Sequence, residues 1–305
     1  MSTGYASEQY ARSLSEWGMP VELKKSGGWL LRRPLPDGTG HDFMGPYPFF
    51  CCADWDGLAD DLKEIEKDGV AVSLVTDPFA DATPDSLKML FPDRCYVFKK
   101  HYVADLSLDP ALVVSKHHQR YVRRALRNIT ITKCDAPLAY LAEWCCLYGE
   151  LVERHRIKGL LQFSPGAFAA LLSLPSLQLF RAEMDGKTIG LISWMVQNNV
   201  AYYHLSAYSS EGYQACASYG FMWHAWEAFA PRLRWLCFGG TAGTVERSDG
   251  LSFFKEGWSS GTRDVYFCGR VFDSEKYSWL STGLQHRRYF PAYRSSEFEQ
   301  VSNAT

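Results

Sequence analysis

Hydrophobic spacing divides the first part of the chain into short segments of two periods. Tyr5, Tyr10, Leu14 and Trp17 recur at helical spacing until Met19-Pro20 ends the run. Val21–Lys25 and Trp29–Arg33 alternate as strands about Gly27-Gly28, and residues 34–40 are turn-rich. The pattern then predicts an amphipathic helix over Trp55–Asp68, a strand over Val70–Val75, a loop over 77–83 and a short helix over Asp85–Leu90. A strand over Tyr96–Leu106 and one long helix over Asp109–Asn128 follow, and the β-branched stretch Ile129–Lys133 reads as another strand.

From Asp135-Ala136-Pro137 the spacing is helical to about Arg154, and Ser164-Pro165 opens another helix, proline being tolerated at the first helical position. Three strands come next: Leu177–Glu183, Thr188–Gln197 and Val200–Ala207. They are joined by Asp185-Gly186 and Asn198-Asn199, pairs that accept the positive φ of two-residue hairpins. A loop over Tyr208–Cys216 leads to a helix over Ala217–Phe229, a strand over Leu233–Phe238, a helix around Leu251–Gly257 and a strand over Val265–Phe272. This succession predicts an α/β protein of the mixed α+β kind in two halves, 1–134 and 135–305. No Gly-x-Gly-x-x-Gly follows a strand, and neither a P-loop nor Gly-x-Ser-x-Gly occurs, so dinucleotide-binding, NTPase and hydrolase readings lack support.

Composition narrows the picture. Hydrophobic residues make up 47% of the 305 residues, enough for a substantial core, and a net charge of −2 argues against DNA as a partner of the whole molecule. No apolar run approaches the ~20 residues that span a bilayer, so no membrane insertion is expected. The N-terminus shows no secretory signal, and nine cysteines without metal-ligand spacing read as thiols in a reducing, cytoplasmic setting. No metal site is expected.

Four constellations carry candidate chemistry. On the expected helix after Pro110, Lys116, Arg120, Arg123 and Arg127 fall in a stripe about 60° wide, with Val114, Tyr121, Val122, Ala125 and Ile129 opposite. The stripe reads either as a solvated face or as an anion site for the phosphates of coenzyme A, a nucleotide-linked substrate or a tRNA acceptor end. In the strand Val200–Ala207, alternation places Tyr202, His204 and Ser206 on one face; His204 reads either as a general base or as a histidine hydrogen-bonded within the sheet. The segment from Ser209 and Gly212 to Ser218 and Tyr219 joins that strand to a helix; its small residues either let backbone N–H groups approach an anionic ligand such as a cofactor's phosphates or form an ordinary strand-to-helix loop, and the helix's stripe of Tyr219, Met222, Trp223 and Trp226 reads mainly as core. Finally, Gly239-Gly240-Thr241-Ala242-Gly243, whose glycines permit positive φ and close contact with either a ligand such as a cofactor or another backbone, precedes Phe254-Lys255. Lys255 either snorkels over its phenylalanine neighbours or faces charge developing on a carbonyl or phosphate.

Taken in order, Asp105-Leu106-Ser107, Ser115 to Arg127, Tyr203-His204-Leu205-Ser206-Ala207, Phe238-Gly239-Gly240, Gly250-Leu251 with Phe254-Lys255, and Phe290-Pro291-Ala292-Tyr293-Arg294 resemble the FemAB-like group of GNAT-superfamily acyltransferases. The resemblance spans roughly residues 106–294. It implies two GNAT-like halves, each a mixed, mostly antiparallel sheet flanked by helices, with the main motifs in the C-terminal half. It implies transfer of an acyl or aminoacyl group from acyl-CoA or aminoacyl-tRNA to a small amine or amino-sugar acceptor by direct attack. No permanently bound cofactor is expected, acyl-CoA being a co-substrate. By the same resemblance Phe254 and Lys255 lie at the reactive centre, Lys255 stabilising the tetrahedral oxyanion or the leaving group. Residues 209–220 occupy the place of the pyrophosphate loop without the Arg/Gln-x-x-Gly-x-Gly/Ala pattern. Two other readings stand beside this one: a non-catalytic GNAT-like protein that binds an acylated ligand, and an RNA-binding module using the basic stripe.

Overall fold

Asp185 and Gly186 take positive φ (51° and 75°), as does Asn198 (51°), so both short connections fold as the hairpin turns that their residues favour. The strands on either side pair antiparallel in one continuous meander. The computed structural model describes residues 3–155, 157, 162–240, 250–284 and 289–297. Along it run α1 (Glu8–Ser13), β1 (Met19–Leu23), β2 (Gly28–Pro34), β3 (His41–Met44), α2 (Leu58–Ile65), β4 (Ala71–Val75) and α3 (Pro84–Leu90). Next come β5 (Arg94–Asp105), α4 (Pro110–Val113), α5 (Lys116–Ala125), β6 (Thr130–Cys134), α6 (Leu141–His155) and α7 (Pro165–Leu172). The rest are β7 (Leu177–Met184), β8 (Lys187–Gln197), β9 (Val200–Tyr208), α8 (Ser210–Gln214), α9 (Ala217–Phe229), β10 (Trp235–Gly239), α10 (Gly250–Glu256), β11 (Gly261–Val271) and α11 (Ser274–Leu280).

These elements form two compact units. The first holds the described residues up to Phe98, Gln162 and those from Asp264 onward; the second holds the described residues of 99–157 and 163–263. The expected division at 134/135 does not fall between them, because Cys134 lies inside the second unit and the C-terminal stretch returns to the first. In the first unit β1-β2 and β2-β3 are antiparallel, β3-β4 parallel and β4-β11 antiparallel. In the second, β6-β7, β7-β8 and β8-β9 are antiparallel, β9-β10 parallel and β10-β5 antiparallel. Within each unit the strand pairing is thus mixed and mostly antiparallel.

The cores follow from the alternation. In the second unit Phe180, Trp194, Phe221, Phe229, Phe238 and Trp258 are buried together, α9 adding Met222 and Trp226. Its aromatic stripe is core, as the spacing indicated, with Tyr219 and Trp223 at the margin. In the first unit Phe43, Phe50, Leu58, Leu62, Val72, Leu74 and Phe91 fill the same role. Burying one such side chain contributes roughly 1.5–3 kcal/mol. No helix among the described residues is long and apolar enough to cross a membrane.

Four local expectations are corrected. The helix over Asp109–Asn128 is two helices: Val114 is extended (ψ 124°), and Ser115 caps α5 by accepting from the His118 N–H. The loop 208–216 contains α8, capped by Ser209, which accepts from the Gly212 N–H. β3 and α11, both short, escape the periodicity. In β9, Leu205 pairs with Ser193 and Tyr203 with Trp194, leaving His204 as an extra residue in a bulge. The bulge inverts the alternation, so Tyr203 and Ser206, expected on opposite faces, hydrogen-bond to each other.

Candidate active site

The parallel ladder between β9 and β10 ends at Tyr202 and Cys237, while β9 continues to Tyr208. β10 ends in Gly239, whose φ of +76° only glycine adopts readily, followed by Gly240. Around these two residues basic side chains collect. Lys255, on α10, is 7% exposed, and its Nζ donates to the Gly240 carbonyl. A Cβ placed on Gly239 would lie 3.4 Å from Lys255 Nζ. A Cβ on Gly240 would lie 3.1 Å from both Lys99 Cδ and His101 Cδ2. Lys99 and His101 reach the same point because alternation along β5 puts them on one face and exposed Lys100 on the other.

Among the described residues, the charged groups that act on His101 are Lys255 and Lys99. Burial, reinforced by Lys255 and Lys99, pushes the His101 pKa down to about 3, and burial lowers that of Lys99. His101 is therefore a neutral imidazole at physiological pH, with Nδ1 at 3.7 Å from Cys237 Sγ. His204, 8% exposed at its bulge on the neighbouring strand, is also neutral: burial pushes its pKa down to about 3.

A second histidine device fixes α10. His118 on α5 is fully buried, its Nε2 2.9 Å from the Phe254 carbonyl and its Nδ1 2.8 Å from Ser115 Oγ. A carbonyl only accepts, so Nε2 carries the proton and Nδ1 accepts from the serine hydroxyl. Gly257 makes room, since a Cβ there would come within 2.2 Å of the ring. Phe254, half-buried, contributes this carbonyl and packs edge-on against Tyr219 and Trp258. The residue ahead of Lys255 thus anchors the helix that presents it.

The other sequence candidates are placed as follows. Lys116, Arg120 and Arg123 are exposed on α5, and Arg127, also exposed, follows its C-cap. Among the described residues none of the four makes an ion pair. The opposite side packs as expected through Val114, Val122, Ala125 and Ile129, and Tyr121 stacks on Tyr219 at 4.9 Å. Ser209 and Gly212 turn to the protein's own backbone. Ser209 N donates to Ile189 O at 3.0 Å, and a Cβ at Gly212 would meet that oxygen at 2.1 Å. Ser218 and Tyr219 lie half-buried in the first turn of α9. Thr241, Ala242 and Gly243 lie outside the described residues.

The last motif, Phe290 to Arg294, belongs to the first unit and binds that unit together. Arg294 engages both Asp42 oxygens, through Nε at 2.5 Å and Nη2 at 2.8 Å, with the pair 6% and 2% exposed. Tyr293 adds its hydroxyl to Asp42 at 3.0 Å. A pocket of about 630 Å³ opens beside it, lined by Trp17, Arg32, Arg33, His41 and Arg294. Its two buried guanidiniums are already engaged by carboxylates, Arg33 with Glu297 and Arg294 with Asp42. Lys99, His101 and His118 are the residues that sequence reading passed over. The Lys-Lys-His run at 99–101 looks like an exposed edge until β10 and α10 are brought to it.

No protein-family model and no curated protein matches the chain. Its fold has counterparts among solved structures. FemX matches with a TM-score of 0.71 at 15% identity, over 89% of this chain and 93% of that one. The C-terminal domain of a putative lysylphosphatidylglycerol synthetase from Agrobacterium fabrum matches at 0.61 and 13% identity, over 91% and 93%. L-PGS from Bacillus licheniformis matches at 0.57 and 13%, over 94% and 99%. At these identities the likeness is one of fold. The chain therefore shares the fold of FemX.

Proposed function

We propose that the protein is an N-acyltransferase that moves an acyl or aminoacyl group from acyl-CoA or aminoacyl-tRNA to the amine of a small acceptor. The observation that carries this reading is Lys255, buried in the second unit and held at the Gly239-Gly240 turn. The FemX-like fold supports it at the level of architecture.

In the proposed reaction a neutral amine attacks the thioester or ester carbonyl, a C–N bond forms, and the carbonyl oxygen takes up negative charge. Collapse breaks the C–S or C–O bond, and the amine's proton leaves with the departing thiol or hydroxyl. Lys255 faces the developing oxyanion; a fixed donor of this kind contributes about 10²–10³ in rate. The low pKa of His204 makes it a poor proton acceptor but a competent hydrogen-bond acceptor. It orients the amine, and the leaving group takes the proton. The stripe of Lys116, Arg120, Arg123 and Arg127 holds donor phosphates, and residues 209–220 contribute through the first turn of α9.

The test is transfer of label from acetyl-CoA, and separately from charged tRNA, to a panel of amines. Transfer by the wild type and a drop of about 10²–10³ in kcat for Lys255→Ala, at unchanged Tm, supports the reading. Tight donor binding without transfer makes the protein a ligand-binding relative instead. Equal loss of activity and stability makes Lys255 structural.

A further inference from the structure

We propose that Cys95 and Cys268 are a redox-modification site, closed by a low-molecular-weight disulfide, and that their bond staples the stem from which the second unit is inserted into the first. This goes beyond the transfer reading and does not depend on it. Both cysteines belong to the first unit, Cys95 on β5 and Cys268 on β11. β5 and β11 are neighbouring strands, and the two thiols hydrogen-bond to each other. One step forward on β5 and one step back on β11, Tyr96 stacks on Phe267 at 5.6 Å. That reversal is the register of an antiparallel pair, and it sets Cys95 directly opposite Cys268. Cα atoms so opposed are about 4.5–5.5 Å apart, within the about 4.4–6.8 Å that a disulfide spans. The bond therefore needs side-chain rotation and little movement of the strands.

The chain leaves the first unit after Phe98 and has returned to it by Asp264, so every described residue of the second unit lies between the two cysteines in sequence. A bond between them closes one loop around that whole insertion, and loop closure restricts the unfolded chain more as the loop lengthens. Access orders the steps. Cys95 is half-buried, whereas Cys268 is fully buried in the first unit's core. Cys95 gives up its proton and attacks one sulfur of the small disulfide; the S–S bond breaks, and one small thiol leaves with that proton. Cys268 then attacks Cys95 Sγ of the mixed disulfide, and the second small thiol leaves with the Cys268 proton. Two protein thiols are oxidised, and one small disulfide is reduced to two thiols. Burial raises the pKa of both cysteines; among the described residues, Cys268 and Lys88 of α3 are the groups that act on Cys95. Thiolate is scarce at neutral pH, so closure runs over hours rather than seconds.

The test is incubation of the full chain with oxidised glutathione, followed by digestion without reductant and mass spectrometry. The expected result is a peptide linking Cys95 to Cys268, absent after dithiothreitol, and a Tm roughly 5 °C higher in the oxidised protein. Cys95→Ser, at the half-buried position, should keep the Tm of the reduced wild type and lose both the link and the rise. Cys268→Ala removes the pair from the core side; where it fails to fold, Cys95→Ser still decides. The proposal is overturned if neither cysteine reacts, if glutathione stays on Cys95 without closure, or if the link forms only in denaturant. A link that forms in the folded protein and leaves Tm unchanged also overturns it, because the stem is then not stapled.

Discussion

The two units share one succession of strand pairings and differ in what they place at its end. Antiparallel, antiparallel, parallel, antiparallel describes β1-β2-β3-β4-β11 in the first and β7-β8-β9-β10-β5 in the second. The last strand is exchanged: β5 follows β4 in the chain but ladders with β10, and β11 follows β10 but ladders with β4. After β4 come Thr76 and Asp77, a buried carboxylate that accepts from the Phe79 N–H at 3.0 Å and lies 3.6 Å from Cys51 Sγ. After β10 come Gly239 and Gly240 with Lys99, His101 and Lys255 around them. One end carries a buried acid; the other carries two glycines beside basic side chains. Topology alone does not make a site, and the difference lies in which residues follow the parallel strand.

The largest expected effect separates the units by stability. Asp42→Ala leaves Arg294 buried without its bidentate acceptor and should cost about 3–5 kcal/mol. Hydrogen exchange should then show protection lost from the first unit ahead of the second. Gly257→Ala is the reciprocal perturbation. Its methyl collides with His118, an overpacking expected to cost about 1–3 kcal/mol, and it should lower kcat through displacement of α10 even where the fold survives.

Acid should act on the second unit. His101 and His204 both titrate near pH 3 when folded and near 6.5 when unfolded, so the unfolded chain binds more protons between those values. Their contribution is intact above about pH 6.5 and is lost as the pH falls toward 3, amounting to several kcal/mol. Tm measured from pH 7.5 to 4 should fall, and His204→Gln should flatten part of the slope. The smallest effect belongs to the exposed stripe. Arg120→Gln with Arg123→Gln should weaken donor binding only a few-fold and reduce its salt dependence by the two lost contacts.

Much of the fold was legible because its signals are local. Asp185-Gly186 and Asn198-Asn199 state their turns, Ser164-Pro165 starts α7, and the stripe on α9 is core as its spacing says. The break between α4 and α5 was not legible, since helical periodicity runs through Val114 without interruption and only Ser115 marks the new start. The exchange of β5 and β11 is invisible to any window, because the pairing partners of both strands lie far away in sequence. At the candidate site Lys255 was reachable through the Phe254-Lys255 motif. Lys99, His101 and His118 were not, because each acquires its role from an element distant in the chain. The bulge at His204 likewise depends on a register with β8 that alternation along β9 cannot reveal.

The comparison is tested most directly by measuring kcat for label transfer and Tm on two variants at the matching strand ends, Lys255→Ala and Asp77→Ala. The account predicts that Lys255→Ala loses about 10²–10³ in kcat with its Tm retained. Asp77→Ala should keep kcat and lose roughly 1–3 kcal/mol of stability from the acceptor it removes. Undiminished transfer by Lys255→Ala, or its loss in a fully stable Asp77→Ala, would contradict it.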